Sequence, residues 1–421
     1  MKWIESWYVS YALLGLSAGG LVPILLPLLI GPTNGAAGIG LVMAAFSLGG
    51  LSAPVWGGLA DRFRLHQELL IGGLLGSALG AALFPFTLSL SLRTWLALLS
   101  GIGLASASTV ANLFIVEVHP EPEWDARIGW LQTFYGSGQV MGLVLAGLFG
   151  QSRPGSGLWL AGGIGGLAII PAMMRTRQGS GVLMPRRPVL SRPAHRAEWP
   201  AGSPQHLYHH PTMQSLRTFF TPFRASFALF LLAWLFSFSG SAAFFSFYPV
   251  VMQKAYGVLP GLSSTGYALA AGLGLLLYAP AGRWSGRRGP LAVLRDALVL
   301  RIAAFAALTL LAVISLPGRG WFSMLSFLLV VLAWSLLSVS STALVADLSP
   351  GNEGEGMGVF NAATALSGVI GAVLGGWAAD RWGYAAIPVV GIIGVGAGLI
   401  VLVSTRPSAS LAGPGRQEVH P

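Results

Sequence analysis

The sequence predicts an all-α integral membrane protein of about twelve transmembrane helices, arranged as two pseudo-symmetric six-helix bundles. Three observations carry that reading. Only 9% of the 421 residues are charged while 54% are hydrophobic, which gives a mean hydropathy of +0.70. The charges are gathered into short clusters separated by apolar stretches, most of them long enough to cross roughly 30 Å of hydrocarbon. The second half of the chain also repeats features of the first. A chain this poor in charge cannot clothe soluble domains, and its apolar blocks lack the alternation that a closed β-barrel requires.

No Asp, Glu, Lys or Arg stands between Glu5 and Asp61. That stretch is long enough for two crossings at about 1.5 Å per residue, and Gly31, Pro32, Asn34 and Gly35 supply a turn between them. Charge-free stretches at 69–92, 94–116, 128–152 and 154–174 complete the first six helices. Those at 225–253, 255–282, 302–318, 320–346, 356–379 and 382–405 provide the second six. The expected organisation is a first bundle over residues 1–174, a Pro- and Arg-rich linker over 175–222, a second bundle over 223–405 and a tail over 406–421.

Lys and Arg set the orientation. With both termini inside, Lys2, Arg62, Arg64, Arg127, the linker arginines, Arg283, Arg287, Arg288, Arg295, Arg406 and Arg416 fall in the cytoplasm. Arg93, Arg153, Lys254, Arg319 and Arg381 fall outside, and Arg301 lies within a helix, where snorkelling toward lipid phosphate is the expected account. Topology thus explains the net charge of +10, which gives no reason to expect nucleic acid. Trp95, Trp159, Trp284, Trp321 and Trp382 sit near helix ends, as an interfacial aromatic belt requires. The opening Met1–Trp7 leads into a full-length span without a small-residue cleavage site, so no cleaved leader is expected. The absence of Cys excludes disulfides and thiolate chemistry. The histidines at His206–His210 are held by nothing rigid, and neither a metal nor a cofactor is expected.

The halves repeat. Ala53–Phe63 has a counterpart in Ala279–Gly289, and Val116–Gly129 in Ala346–Gly358, matching Glu117 with Asp347 and Pro120 with Pro350. Farther on, Gly129–Gly147 matches Gly358–Gly376, aligning Gly142 with Gly371 and Gly147 with Gly376. Repeat-built transporters place their substrate site between the repeats, near the bilayer midplane.

On these residues the chain resembles the major facilitator superfamily. The family's loop between helices two and three reads G-x-x-x-D-R-x-G-R-R, and here it stands as Gly57, Asp61, Arg62 and Arg64, with Arg64 at the family's glycine. The second-half loop keeps Gly282, Arg287, Arg288 and Gly289 but has Gly286 in place of the aspartate. The expected role is a cytoplasmic gate: Gly57 allows close helix approach, Asp61 meets the positive N-terminal end of the helix beginning near Gly356, and Arg62 and Arg64 pair with Glu117. Arg127, Arg287, Arg288 and Asp347 belong to the same cytoplasmic layer.

Gly129, Gly138 and Gly142 follow the G-x8-G-x3-G spacing of the antiporter motif in drug exporters of this superfamily, with Gly147 near its final glycine pair. Leu143 replaces the motif's proline, and Leu98 replaces the helix-four arginine of many proton-coupled exporters. The same glycines, with Gly371 and Gly376, serve equally as helix-packing positions. The resemblance implies a cavity formed mainly by helices one, four, seven and ten, with contributions from two, five, eight and eleven. Candidate substrate contacts are Asn112, Gln132, Tyr135, Gln139, Ser335, Ser338, Asn361 and Thr364. Helix seven is unusually aromatic, and no Asp, Glu or His stands near the middle of any span.

The reading is a secondary transporter of a small neutral or amphipathic molecule, working as a monomer among membrane lipids by alternating access, and exporting it. Uptake of a metabolite is the alternative of the same fold. A membrane enzyme is disfavoured because no acids, bases or metal ligands converge within the spans. A sensor that has lost transport is the remaining alternative.

Overall fold

The computed structural model describes residues 4–63, 65–119, 123–179, 225–314, 316–349 and 353–404, without the side chains of residues 61, 116–118, 125, 175–179 and 353–355. The linker from 180 to 224 and the tail from 405 therefore lie outside the described residues, as do Arg64, the His206–His210 cluster and Pro120. All regular structure among the described residues is helical.

Ten helical stretches are long and apolar enough to cross a membrane, the first being Tyr8–Ala60. This stretch is two helices, because Gly35 (φ 64°) takes a conformation open to glycine but costly for other residues. The helix Trp124–Gly150 falls short of the others in hydropathy yet matches them in length. Counting both gives, among the described residues, twelve helices in order: α1 (8–34), α2 (36–63), α3 (His66–Leu83), α4 (Leu90–Val118), α5 (Trp124–Gly150), α6 (154–179), α7 (Ala225–Tyr256), α8 (Pro260–Arg288), α9 (Pro290–Val313), α10 (Arg319–Leu348), α11 (Glu353–Trp382) and α12 (Ile387–Ser404).

Their alternation gives the protein a basic end, carrying Arg62, Arg127, Arg283, Arg287 and Arg288, and a far end, carrying Arg93, Arg153, Lys254, Arg319 and Arg381. Trp95, Trp159, Trp284, Trp321 and Trp382 are all exposed near helix ends, the arrangement of an interfacial belt.

At the far end Arg93 fastens the α1–α2 turn. Its side chain is 2% exposed; it donates to Thr87 O at 2.9 Å, Thr33 Oγ1 at 2.9 Å and Asn34 Oδ1 at 3.0 Å. The residues that make the turn also supply the acceptors that satisfy the buried guanidinium.

Within the first bundle, α1 packs on α5 through glycines. A Cβ on Gly138 would strike Ala12 O, and one on Gly142 would strike Leu16 O. Such close approach is how helices associate where lipid removes the hydrophobic drive between them. In this region α1 is a π-helix over Gly15–Leu21, whose irregular backbone takes side-chain partners: Gln139 Nε2 donates to Gly19 O at 3.2 Å. In the second bundle, Gly371 on α11 approaches Ser239 O on α7, and Gly398 on α12 approaches Ala233 O and Ser237 Oγ.

Candidate functional site

The two bundles touch along α2–α11 and α5–α8. Near the far end these contacts are backbone to backbone. A Cβ on Gly40 would lie 2.8 Å from Ala372 O and 3.1 Å from Gly376 Cα; one on Gly147 would lie 3.0 Å from Gly261 O. Toward the middle the spacing is set by side chains: Ser47 Oγ lies 3.0 Å from the Cβ position of Gly368, and Leu275 Cδ2 lies 3.0 Å from that of Gly136.

At the basic end no such contact is made by the described glycines. Gly129 on α5, Gly282 and Gly286 on α8, and Gly358 on α11 have nothing within 4 Å of a Cβ position. Gly57 touches Thr109 and Leu113 of its own bundle at 3.7 Å. Among the described residues the close glycine contacts between the bundles therefore lie at the far end and in the middle, and the basic-end glycines meet nothing of the other bundle.

The seam leads to a cavity of about 110 Å³ between α5, α8 and α10. Gln139 and Gly136 of α5 form one wall. Tyr267, Ala271 and Tyr278 of α8 face them, with Trp334 and Ser335 of α10. None of the lining residues is charged. An aromatic surface with a few hydrogen-bonding groups suits a small flat or ring-shaped molecule.

Of the expected contacts only Gln139 and Ser335 line this cavity; Asn112, Gln132, Tyr135, Ser338, Asn361 and Thr364 do not. On the first bundle, Gln132 Nε2 lies 3.4 Å from Asn112 Oδ1, the Tyr11 hydroxyl interacts with both side chains, and Tyr11 and Tyr135 have ring centroids 5.1 Å apart. Asn112 spends one donor on Ser108 O at 2.7 Å. On the second, Ser335 donates to Gly274 O at 2.9 Å, and the Tyr278 hydroxyl interacts with Ser338 and Trp334. Thr364 donates to Phe360 O and accepts from Trp234 Nε1, both at 2.8 Å, so its hydroxyl holds helices together. Asn361 is exposed on α11.

The aromatic character of α7 is interior in part. Trp234 and Phe238 stack with centroids 5.6 Å apart, and Phe238 lies 5.5 Å from Trp334. Tyr267, Tyr278 and Trp334 were not among the sequence candidates. Their signal was a polar-tipped aromatic in mid-span, where hydrocarbon satisfies no O–H or N–H.

Three expectations are corrected. Arg301 does not snorkel: its side chain is 1% exposed, donating to Ser241 Oγ and Val330 O at 3.1 Å each. It points into the second bundle, where polar partners replace water. Arg127 is not a free gate cation in this state. It is buried on Glu5 and Glu123, at 2.9 Å each, while His119 Nε2 lies 2.6 Å from Glu5 Oε1, all within the first bundle. Gly129 sits in open space, so helix packing does not account for it here.

Of the remaining gate residues, the side chains of Asp61 and Glu117 are not among those described. Arg62, Arg287 and Asp347 are exposed, and Arg288 pairs with Asp296 of its own bundle at 3.0 Å.

A helical membrane protein in two bundles, with a neutral aromatic-lined cavity on the seam between them, has the architecture of a transporter. The Major Facilitator Superfamily sequence model matches residues 7–371, and the chain belongs to that superfamily of small-molecule transporters. It is 33% identical over 116 residues to the L-fucose-proton symporter of Escherichia coli (strain K12); this stretch covers 27% of the chain and 26% of the symporter, about a quarter of that relative.

The fold matches the crystal structure of nucleoside transporter NupG with a TM-score of 0.70, at 13% identity, over 97% of this chain and 98% of that one. It matches the D-xylose-proton symporter at 0.66, 16% identical, over 95% and 97% of the two chains. A bacterial homolog to the human lysosomal transporter Spinster, in an inward-facing and unoccupied conformation, matches at 0.67, 15% identical, over 95% and 94%. At these identities the likeness is one of fold.

Proposed function

We propose that the protein imports a small ring-shaped organic solute by alternating access, with the basic end and both termini in the cytoplasm. The observation that carries this reading is the asymmetric seam: glycine backbones meet at the far end, the basic-end glycines meet nothing of the other bundle, and the aromatic cavity lies between. The state described is then inward-open. The positive-inside rule places Arg62, Arg127, Arg283, Arg287 and Arg288 on the cytoplasmic side. Asp61, Arg62, Arg64, Glu117, Arg287, Arg288 and Asp347 would close that side in the opposite state.

Uptake is preferred over export for a specific reason. The glycines that favoured an exporter already have a packing role, since Gly138 and Gly142 bring α5 onto α1, and relatives named as symporters support entry. Export remains the second reading, favoured by the open position of Gly129, for which packing gives no account. A cavity whose described lining holds no acid, base or metal ligand supports carriage without chemistry.

The test is flux of labelled pentoses, hexoses, nucleosides and aromatic carboxylates into proteoliposomes with the protein in a known orientation. Accumulation after entry from the far end supports import. Accumulation only after entry from the basic end supports export, and no flux of any solute would favour a sensor.

A further inference from the structure

We infer that the central cavity selects organic anions, because Arg301 places an uncompensated positive charge behind its wall. The inference rests on the reading of that cavity as the solute site and names the chemical class it takes.

Arg301 lies eleven residues past Pro290 on α9, about 16 Å along the helix and so near the middle of a bilayer roughly 30 Å thick. A guanidinium does not deprotonate at such a site, so the charge stays. Its partners are neutral, Ser241 Oγ and Val330 O, and its Nε has none. The described acids of the second bundle stand at helix ends: Asp296 pairs with Arg288, while Asp347 and Asp380 are exposed. The guanidinium carbon lies 5.8 Å from the centroid of Trp334, which lines the cavity, and 5.9 Å from that of Phe245.

A buried cation without a carboxylate is costly, and aromatic faces offset only part of that cost. In a site of low dielectric its field reaches across one side chain with little screening. Nothing in the described cavity lining opposes it, since Gln139, Tyr267, Ala271, Tyr278, Trp334 and Ser335 are all neutral. A solute bearing a carboxylate would supply the missing negative charge; a neutral isostere would not, and a cation would be repelled.

Three flat molecules of nearly equal size separate these cases: benzoate, benzamide and benzamidine. Thermal stabilisation of the purified full-length protein in detergent, titrated with each, reads equilibrium binding without requiring transport. Benzoate is expected to bind at least about tenfold more tightly than benzamide, and benzamidine most weakly. Arg301→Gln should reduce the preference for benzoate to less than about twofold, and Arg301→Lys should retain much of it. If Arg301→Gln does not fold, Ala271→Asp tests the same point by adding a counter-charge to the wall, and should also erase the preference.

Equal binding of benzoate and benzamide, a preference that survives these changes, or no stabilisation by any of the three overturns the inference. The outcome is separable from that of the transport reading. Charge-selective binding without flux would overturn transport alone, whereas flux of neutral solutes with no charge preference would overturn only the role of Arg301.

Discussion

Gly40 and Gly376 meet across the seam between the two bundles, so closely that a Cβ on Gly40 would lie 3.1 Å from Gly376 Cα and 2.8 Å from Ala372 O. The contact joins α2 to α11 near the far end. Its counterpart joins α5 to α8, where a Cβ on Gly147 would lie 3.0 Å from Gly261 O. Gly147 and Gly376 are the very residues that the internal repeat aligns. Both lie in the seal, and small residues there let backbones close against each other as larger ones could not.

Gly376→Leu should hold the far end apart. Overpacking of this kind costs about 1–3 kcal/mol, enough to shift a two-state population roughly five- to 150-fold. The chain has no native cysteine, so Ala271→Cys in the cavity provides a clean reporter. Its labelling from outside intact cells should rise at least about tenfold in the Gly376→Leu background. Unchanged labelling of a folded protein would mean that the glycine contact is not a seal.

How much of this was legible in the sequence follows from what helices of this kind encode. The Gly35 break was readable because turn chemistry is local, and the helix positions because charge is excluded from hydrocarbon. The rotation of each helix was not. Helices that are apolar all round carry no stripe to separate a lipid-facing side from a buried one. Arg301 was therefore read as reaching for lipid when it points inward, and the cavity residues Tyr267, Tyr278 and Trp334 were not among the candidates. Gly129 was misleading for a related reason, since glycine spacing does not distinguish a tight contact from an open mouth.

Arg93→Ala should destabilise the protein by about 1–3 kcal/mol, because it removes three hydrogen bonds and leaves Thr87 O and Thr33 Oγ1 without the donor that Arg93 supplied. Arg93→Lys keeps the charge but not the planar fork, and should fall between the two. Thermal unfolding in detergent orders the three proteins, and an Arg93→Ala midpoint equal to wild type would remove the turn from the sources of stability.

Gln139→Ala tests a side chain that both lines the cavity and caps the Gly19 carbonyl of the π-helix. Losing one such bond costs about 1 kcal/mol or more, so the KM for a transported solute should rise roughly fivefold or beyond. Gln139→Glu keeps an acceptor but not the donor to Gly19 O, and should fare no better than alanine. Recovery in Gln139→Glu would assign the residue to the solute alone.

Coupling to protons should be weak. Among the described residues the acids Glu5, Glu68, Glu123, Asp296, Asp347 and Asp380 stand at helix ends or outside helices, and a mid-span carboxylate is the usual mark of a coupling site. Flux in proteoliposomes should change by less than about twofold when a pH gradient is imposed. Strict dependence would point to burial of Glu117 or Asp347 during the cycle.

The gate at the basic end should be asymmetric. Asp61 has no acidic counterpart, since Gly286 occupies the equivalent position, so the aspartate part of any latch belongs to the first bundle alone. The basic-end glycines meet nothing of the other bundle in the state described, which means a latch would act in the opposite state, closing the mouth. Asp61→Asn should weaken that closed state, and a loss of about 1.4 kcal/mol would shift the population tenfold toward the open mouth. Gly286→Asp should matter little, because the native second-half loop already works without an aspartate at this position and the described state has room for one. Leu113 lies beside Gly57 near this mouth, so Leu113→Cys can report on it without native thiols in the background. Labelling from the cytoplasmic side should rise in Asp61→Asn and stay near wild type in Gly286→Asp. Equal rates in all three, with each protein folded and inserted, would mean that the Asp61 loop sets orientation and packing and closes nothing.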